Sequence, residues 1–193
     1  MTKQKLIILS VAMLVALATA IVVFTACGNG DTVSFEGTDA KSSPIETAIT
    51  AIVNGDGEGY YSAFPPALKE AYEEGYVISG TFAPCSTMSE YLTNYMVKVN
   101  KANYGEDYTL AVEFLDEERI TVAELDTMTN DPNLDYYTYM RFVTEENTEQ
   151  AWRIKLKLSY EGSYGSEEKE QSVFVVQQNG YWYLHPHFVF YGF

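Results

Sequence analysis

Two histidines separated by one proline are the residues whose spacing points most directly to metal chemistry. In an extended strand, His185 and His187 lie at positions i and i+2 and face the same side. They could supply two of the three or four ligands of a zinc site. The chain has no further histidine, so Cys85 or a carboxylate would have to complete the set. The preferred alternative is a pair of half-exposed histidines that flank Pro186 at a strand edge, and no metal is predicted.

A short acidic segment shows a second, incomplete metal-binding pattern. Asp131, Asn133 and Asp135 match the first three oxygen ligands of an EF-hand loop. The pattern fails at its sixth position, where Tyr136 replaces glycine, and at its twelfth, where Phe142 replaces glutamate. The segment therefore predicts a turn, and no cofactor is predicted for the chain.

Tyrosine is the residue type in clear excess, with 16 copies in a chain of 193 residues. Its ring is apolar and its hydroxyl is polar, a combination suited to interfaces and to stacking on sugars or peptides. Alternatively, many of these tyrosines line the concave face of a sheet and the seam between helices and sheet. A candidate binding patch for a small molecule, a glycan or an envelope protein consists of Tyr136, Tyr137, Tyr139, Tyr181, Trp182, Tyr183, His185 and His187.

Helical periodicity dominates the chain from residue 43 to residue 105. An N-cap and a proline begin a helix over residues 43–54, and the acidic, glycine-rich residues 55–59 predict a loop. A second helix is predicted over residues 65–74, and a weak helical turn over 122–128. The clearest helix is predicted over residues 87–105, and its apolar face consists of Met88, Tyr91, Leu92, Tyr95, Met96 and Val99.

The apolar period then shifts to two, which is typical of strands. Residues 108–114 alternate in this way, and residues 152–161 place apolar side chains on one face and mostly charged ones on the other. A further strand over residues 171–178 leads into Asn179-Gly180, a strong signal for a two-residue hairpin turn. The last strand is predicted over residues 181–190.

The first 26 residues have the pattern of an export signal. Lys3 and Lys5 precede an uncharged, mainly apolar run from Leu6 to Ala26, and no acidic residue occurs before Asp31. A run of this length could alternatively span a bilayer as a retained anchor. Either interpretation places the rest of the chain outside the cytoplasm.

The run ends in Phe24-Thr25-Ala26-Cys27, which resembles the lipobox of bacterial lipoproteins, where an aliphatic residue and two small residues precede a cysteine. Phe24 departs from the usual aliphatic residue. The resemblance implies a signal peptide over residues 1–26 and lipid attachment, such as palmitate, at Cys27. Residues 27–43 are then predicted to be a flexible tether. The expected location is the extracytoplasmic face of the cell membrane, in a Gram-positive bacterium.

The charge of the chain restricts the partners of such a protein. Loss of residues 1–26 removes two lysines and no acidic residue, so 10 basic and 27 acidic residues remain and the formal charge becomes −17. A surface this acidic repels phosphate backbones, which argues against nucleic acid as a partner. It also disfavours adhesion to anionic lipids, so the expected link to the membrane is the lipid on Cys27. Cys85 is the only other cysteine, so no intramolecular disulfide is expected beside a lipidated Cys27.

The predicted elements indicate an α+β fold over residues 44–193, a single domain with N-terminal helices packed on a curved, mostly antiparallel sheet. The order of these elements, the segment NGDGEGYYSAF after the first helix, and the closing NGYWYL hairpin are similar to one superfamily. This is the cone-shaped nuclear-transport-factor-two-like (SnoaL-like, cystatin-like) superfamily. The resemblance implies a fold and no particular activity.

The preferred hypothesis is a lipid-anchored module that binds a ligand or partner without catalysis. The cone fold also supports isomerases and dehydratases, in which an inward carboxylate or a His–Asp pair acts as the base and a tyrosine or protonated acid polarises a carbonyl. For such an enzyme, Asp107 or Glu113 on the first predicted strand would be the base. A structural envelope protein without a ligand is the third possibility.

Overall fold

A computed structural model describes residues 22–24, 32–72, 85–129 and 143–185 of the chain. The helices are α1 (Ser43–Asn54), α2 (Gly57–Ser62), α3 (Pro66–Tyr72), α4 (Met88–Leu92), a π-helical turn (Thr93–Val97), α5 (Lys98–Tyr104) and α6 (Val122–Thr129). The strands are β1 (Val22–Phe24), β2 (Thr32–Glu36), β3 (Thr109–Ile120), β4 (Gln150–Gly162), β5 (Gly165–Gln178) and β6 (Tyr181–Leu184).

The described strands lie side by side in chain order within one curled sheet. β2 pairs with β3 in parallel, because helices α1 to α5 form the crossover between them, and the other neighbouring strands pair antiparallel. The helices of the crossover pack on one face of the sheet, which we call the inner face. The predicted α+β fold with a mostly antiparallel sheet is confirmed.

Strand β4 shows how a period of two builds both faces of this sheet. Every second residue from Ile154 to Tyr160 is at most 1% exposed and contributes to the core of the inner face. The residues between them point outward, where Lys155 Nζ lies 2.5 Å from Glu170 Oε2 on β5. The alternation predicted for residues 152–161 is therefore confirmed, and the polar face lies outside.

A smaller apolar cluster covers one end of the outer face. Leu125 of α6 is fully buried there, against Ala151 of β4 and Phe174 of β5. Further members of the cluster are Ile120, Val143 and Val176, with Tyr183 packed against them. The helical turn predicted over residues 122–128 is confirmed as α6, and its contribution is to cover this second cluster.

The segment after α1 corrects one prediction. Gly55 ends α1 in the left-handed region, with φ at +65°, as the sequence predicts. Residues 57–62, however, form α2, and not a loop, because the Asp56 carboxylate accepts a hydrogen bond of 3.0 Å from Gly59 N and caps the helix. A Cβ on Gly57 would lie 2.6 Å from Ser89 N, so this glycine allows α2 to approach α4.

The long helix predicted over residues 87–105 is present but is interrupted by the π-helical turn. Thr87 caps it as predicted, since its hydroxyl accepts a hydrogen bond of 3.1 Å from Glu90 N. The wider turn contains about one extra residue, which rotates the following residues by about 100° around the axis. Val99 is therefore 46% exposed, although the sequence places it on the apolar face, and Asn100 is buried in the core.

The N-terminal part of the sheet corrects the predicted tether. Residues 32–36, within the tether predicted over residues 27–43, form β2, in which Val33 and Phe35 are each 6% exposed. Only two apolar residues mark this strand among glycine, serine, threonine and aspartate, so its alternation is weak. β1 pairs with the other edge of β2 and lies within the predicted signal peptide. Removal of residues 1–26 would leave β2 as the edge strand.

Candidate functional site

His185 is buried, which corrects the expectation of a half-exposed side chain. It is 0% exposed, and its backbone N–H donates a hydrogen bond of 2.8 Å to the Phe174 carbonyl. The rings of His185 and Phe174 meet edge to face, with their centroids 6.3 Å apart and an interplanar angle of 83°. His187 lies outside the described residues. Within the described part of the chain, no group of three or more histidine, cysteine, aspartate and glutamate side chains is placed to hold a metal ion.

The three aromatic residues of β6 do not form one patch. Trp182 packs against the core of the inner face, whereas Tyr183 packs against the cluster under α6. Tyr181 is 69% exposed, beside the turn at Asn179 and Gly180, whose positive φ angles match the predicted hairpin. Neighbouring residues of a strand point to opposite faces, so the contiguous sequence is divided by the sheet. The other patch residues, Tyr136, Tyr137 and Tyr139, lie outside the described residues.

The two carboxylates named for an enzyme do not face the inner face of the sheet. Asp107 is exposed in the loop before β3, and its carboxylate accepts a hydrogen bond of 3.1 Å from Ser163 N. Hydrogen bonds from the hydroxyl and the backbone N–H of Ser163 hold the pKa of Asp107 below its ordinary value, opposite to the direction that a general base requires. Glu113 is exposed on the outer face, opposite Lys157. Asp107 therefore joins a loop to a hairpin, and Glu113 belongs to a charged surface.

A cluster of three buried tyrosines lies at the inner face of the β4–β5 hairpin. This tyrosine cluster consists of Tyr104 at the end of α5, Tyr108 before β3, and Tyr160 of β4, all at most 5% exposed. The rings of Tyr104 and Tyr160 are stacked, with centroids 4.7 Å apart and planes 14° apart. The centroid of Tyr108 lies 6.4 Å from that of Tyr104.

Two charged residues of β5 form the rim of this tyrosine cluster. The Tyr104 hydroxyl donates a hydrogen bond to the Glu167 carboxylate, and Lys169 Nζ lies 3.3 Å from the same carboxylate. Lys169 Nζ also lies 5.5 Å from the centre of the Tyr160 ring, a cation–π distance. Burial, together with the bond to Glu167, raises the pKa of Tyr104 to about 12. The same bond lowers the pKa of Glu167, so its carboxylate stays charged at neutral pH.

Two buried polar atoms near this rim have no hydrogen-bond partner among the described residues. They are the hydroxyl of Tyr160 and the side-chain nitrogen of Gln171. The pKa of Tyr160 lies well above its ordinary value, because burial and the neighbouring tyrosines disfavour the phenolate. Tyr160 therefore remains a neutral hydrogen-bond donor, as does the amide of Gln171. Each of the two groups can donate a hydrogen bond to an oxygen atom.

Sequence patterns predict only part of the tyrosine cluster. The alternation of β3 and β4 places Tyr108 and Tyr160 on an apolar face, and the periodicity of residues 87–105 indicates a helix that ends near Tyr104. The contact of Tyr104 with Tyr160 joins residues far apart in the chain, and no local pattern predicts it. The sequence does not predict the rim, because Glu167 and Lys169 precede the strand predicted over residues 171–178 and lie in a run of charged residues.

No protein-family model matches the chain. A search of curated proteins also finds no match. Cys27 lies outside the described residues, and no helix in the described ranges is long and apolar enough to cross a membrane.

Proposed function

We propose that this protein is a lipid-anchored component of a bacterial cell envelope, whose α+β domain binds a ligand or partner on the extracytoplasmic side. One observation carries the proposal. A basic start and a long uncharged, mainly apolar run lead directly into Thr25-Ala26-Cys27, the order of an export signal that ends in a lipobox. Two acyl chains at Cys27 would provide stable attachment, which a single chain does not.

The charge of the domain agrees with a covalent anchor. Without residues 1–26 the chain carries a formal charge of −17, which repels anionic headgroups. On the outer face, acidic residues of β3 and β5 flank the basic row of β4, and Lys157 Nζ lies 2.9 Å from Glu168 Oε1. The basic residues of this row are thus held by neighbouring carboxylates and are poorly placed to attract a lipid surface or a nucleic acid.

A binding role is supported by the tyrosine cluster. Its rings pack in the apolar core beside the rim, and Tyr160 adds a buried hydroxyl with no hydrogen-bond partner among the described residues. Such groups are rare in native proteins, and one beside exposed rim residues is suited to contact with a ligand. The alternative of an isomerase or dehydratase needs an inward base, and its two named candidates, Asp107 and Glu113, are exposed away from the core.

Labelling with a fatty acid tests the anchor in a bacterial host. The parent protein and the variant Cys85→Ala should both incorporate the label and fractionate with membranes, since Cys85 is buried in the core. Cys27→Ala should incorporate none. Mass spectrometry should find the parent's N-terminus at Cys27. An unlabelled parent that retains residues 1–26 and remains in the membrane would show a membrane-spanning anchor instead.

A further inference from the structure

The hydroxyl of Tyr160 is a buried donor that the described part of the fold leaves without a hydrogen bond. The residue is 1% exposed, although its neighbour in the stack, Tyr104, donates its own hydroxyl to Glu167. Phenylalanine would fill the same space without a buried polar atom and would stabilise the fold. The hydroxyl of Tyr160 is therefore better explained by contact with a group from outside the protein core.

A second donor on the same face strengthens this observation. In the register of β4 with β5, Tyr160 lies opposite Glu167, and Leu156 lies opposite Gln171. Residues 167, 169 and 171 of β5 therefore share the inner face with Tyr160. The side-chain nitrogen of Gln171 is buried and also has no hydrogen-bond partner in the described ranges. Both atoms without partners are thus donors on one face of one hairpin.

The two rim residues beside the buried tyrosines are themselves partly exposed. The side chains of Glu167 and Lys169 are 47% and 40% exposed, respectively. Among the described strands, β4 pairs with residues 165–172 of β5 along one edge, and β6 pairs with residues 175–178 along the other, so residues 165–172 have a described neighbour on one edge alone. Rotation of the long side chain of Lys169, which lies over the Tyr160 ring, would open a path to the tyrosine cluster.

We propose that the inner face of the β4–β5 hairpin binds a small uncharged saccharide, whose oxygen atoms accept hydrogen bonds from Tyr160 and Gln171. The inference rests on the proposed binding function and names the ligand class. Neutral donors select an oxygen acceptor, and the acidic surface of the protein disfavours an anion. Glu167 and Lys169 can exchange hydrogen bonds with further hydroxyl groups of the ligand, and the tyrosine rings can contact its apolar edges.

Calorimetric titration of the processed protein with glucose and with N-acetylglucosamine tests this site. The protein starts at Cys27 and is kept in a mild detergent. We expect at least one of the two sugars to bind the parent. Tyr160→Phe should weaken binding about three- to tenfold, the effect of one neutral hydrogen bond. Tyr164→Phe is the matched control, because Tyr164 lies in the same hairpin and is 72% exposed. It should bind as the parent does.

Two results would overturn the inference. In the first, neither sugar binds the parent up to its solubility limit. In the second, a sugar binds the parent and Tyr160→Phe equally, which would mean that the hydroxyl contacts only an internal water. Mass spectrometry of the N-terminal peptide in the same preparations separates this inference from the proposed anchor. A lipid on Cys27 without sugar binding refutes the saccharide site alone, whereas a missing lipid refutes the anchor whether or not sugar binds.

Discussion

The Cα atom of Gly162 lies against the backbone carbonyl of Tyr104. A Cβ on this glycine would be 2.9 Å from the carbonyl carbon of Tyr104 and 3.1 Å from the Cα of Tyr108, with the carbonyl oxygen closer still. Tyr164 N donates a hydrogen bond of 2.9 Å to the same oxygen. The end of α5 and the β4–β5 hairpin are therefore joined through their backbones, and this junction positions the tyrosine cluster.

Replacement of Gly162 by alanine should destabilise the protein by about 2 kcal/mol or more, since the obstacle is backbone that cannot rotate away. Gly165→Ala is the matched control on the other side of the turn. Nothing lies within 4 Å of a Cβ at Gly165, so its substitution should change the free energy of unfolding by less than about 0.5 kcal/mol. Urea denaturation of the two variants makes the comparison, and equal stabilities would contradict the described junction.

The pKa of Tyr104 predicts a loss of stability at alkaline pH. Its ordinary value is 10.0, and in the folded protein it rises to about 12 because of burial and the bond to Glu167. The unfolded chain therefore releases this proton first, and stability falls as the pH rises from about 10 to about 12. A shift of this size corresponds to about 2–3 kcal/mol.

Denaturation of the parent and of Tyr104→Phe at several alkaline pH values tests this dependence. The variant should be less stable than the parent at neutral pH and should lose less stability above pH ~10, because it has no hydroxyl to ionise. Tyr164→Phe, which alters an exposed tyrosine, should follow the parent. A parent and a Tyr104 variant with the same slope above pH ~10 would show that the pKa of Tyr104 is not raised in the folded protein.

The π-helical turn predicts effects of very different size for two residues of the same predicted apolar face. Leu92 precedes the turn and is 1% exposed, so Leu92→Ala should cost about 2–5 kcal/mol. Val99 follows the turn and is 46% exposed, so Val99→Ala should change stability by less than about 0.5 kcal/mol. Thermal unfolding measures both. Similar costs for the two substitutions would favour an uninterrupted α-helix.

The burial of His185 predicts how the protein responds to zinc. The side chain lies against the cluster under α6, so His185→Ala should lower stability by about 1–3 kcal/mol through lost packing. Neither zinc nor a chelator should alter the melting temperature of the parent. A chelator-sensitive melting temperature in the parent that is absent from His185→Ala would reveal a metal site.

The main elements of the fold could be predicted from sequence because each has a local cause. Helix α1 follows from the proline at its start and from Gly55, which adopts the left-handed conformation that ends it. The hairpin turn at Asn179 and Gly180 requires two positive φ angles, which these residue types adopt most readily. The alternation in β4 determines which of its side chains reach the core. In each case, residues close together in the sequence are sufficient to predict the element.

The predicted elements that were wrong depend on contacts with distant parts of the chain. β2 has only two inward apolar residues, and its strand form depends on pairing with β3. α2 is stabilised by the Asp56 cap, and Gly57 N donates a hydrogen bond of 2.8 Å to Ser89 Oγ on α4. The wider turn between α4 and α5 moves Val99 to the surface. Local patterns are too weak to predict such features.

The sequence by itself determined the α+β order of elements, the inward face of β4, and the acidic charge that disfavours phosphate-bearing partners. These properties depend on residue type and on periodicity, which are local or additive. Only the tertiary structure decided that Trp182 and Tyr183 face opposite clusters, that His185 is buried, and that Tyr104 stacks on Tyr160. The physical reason is that a site forms where strand pairing and helix packing bring distant side chains together.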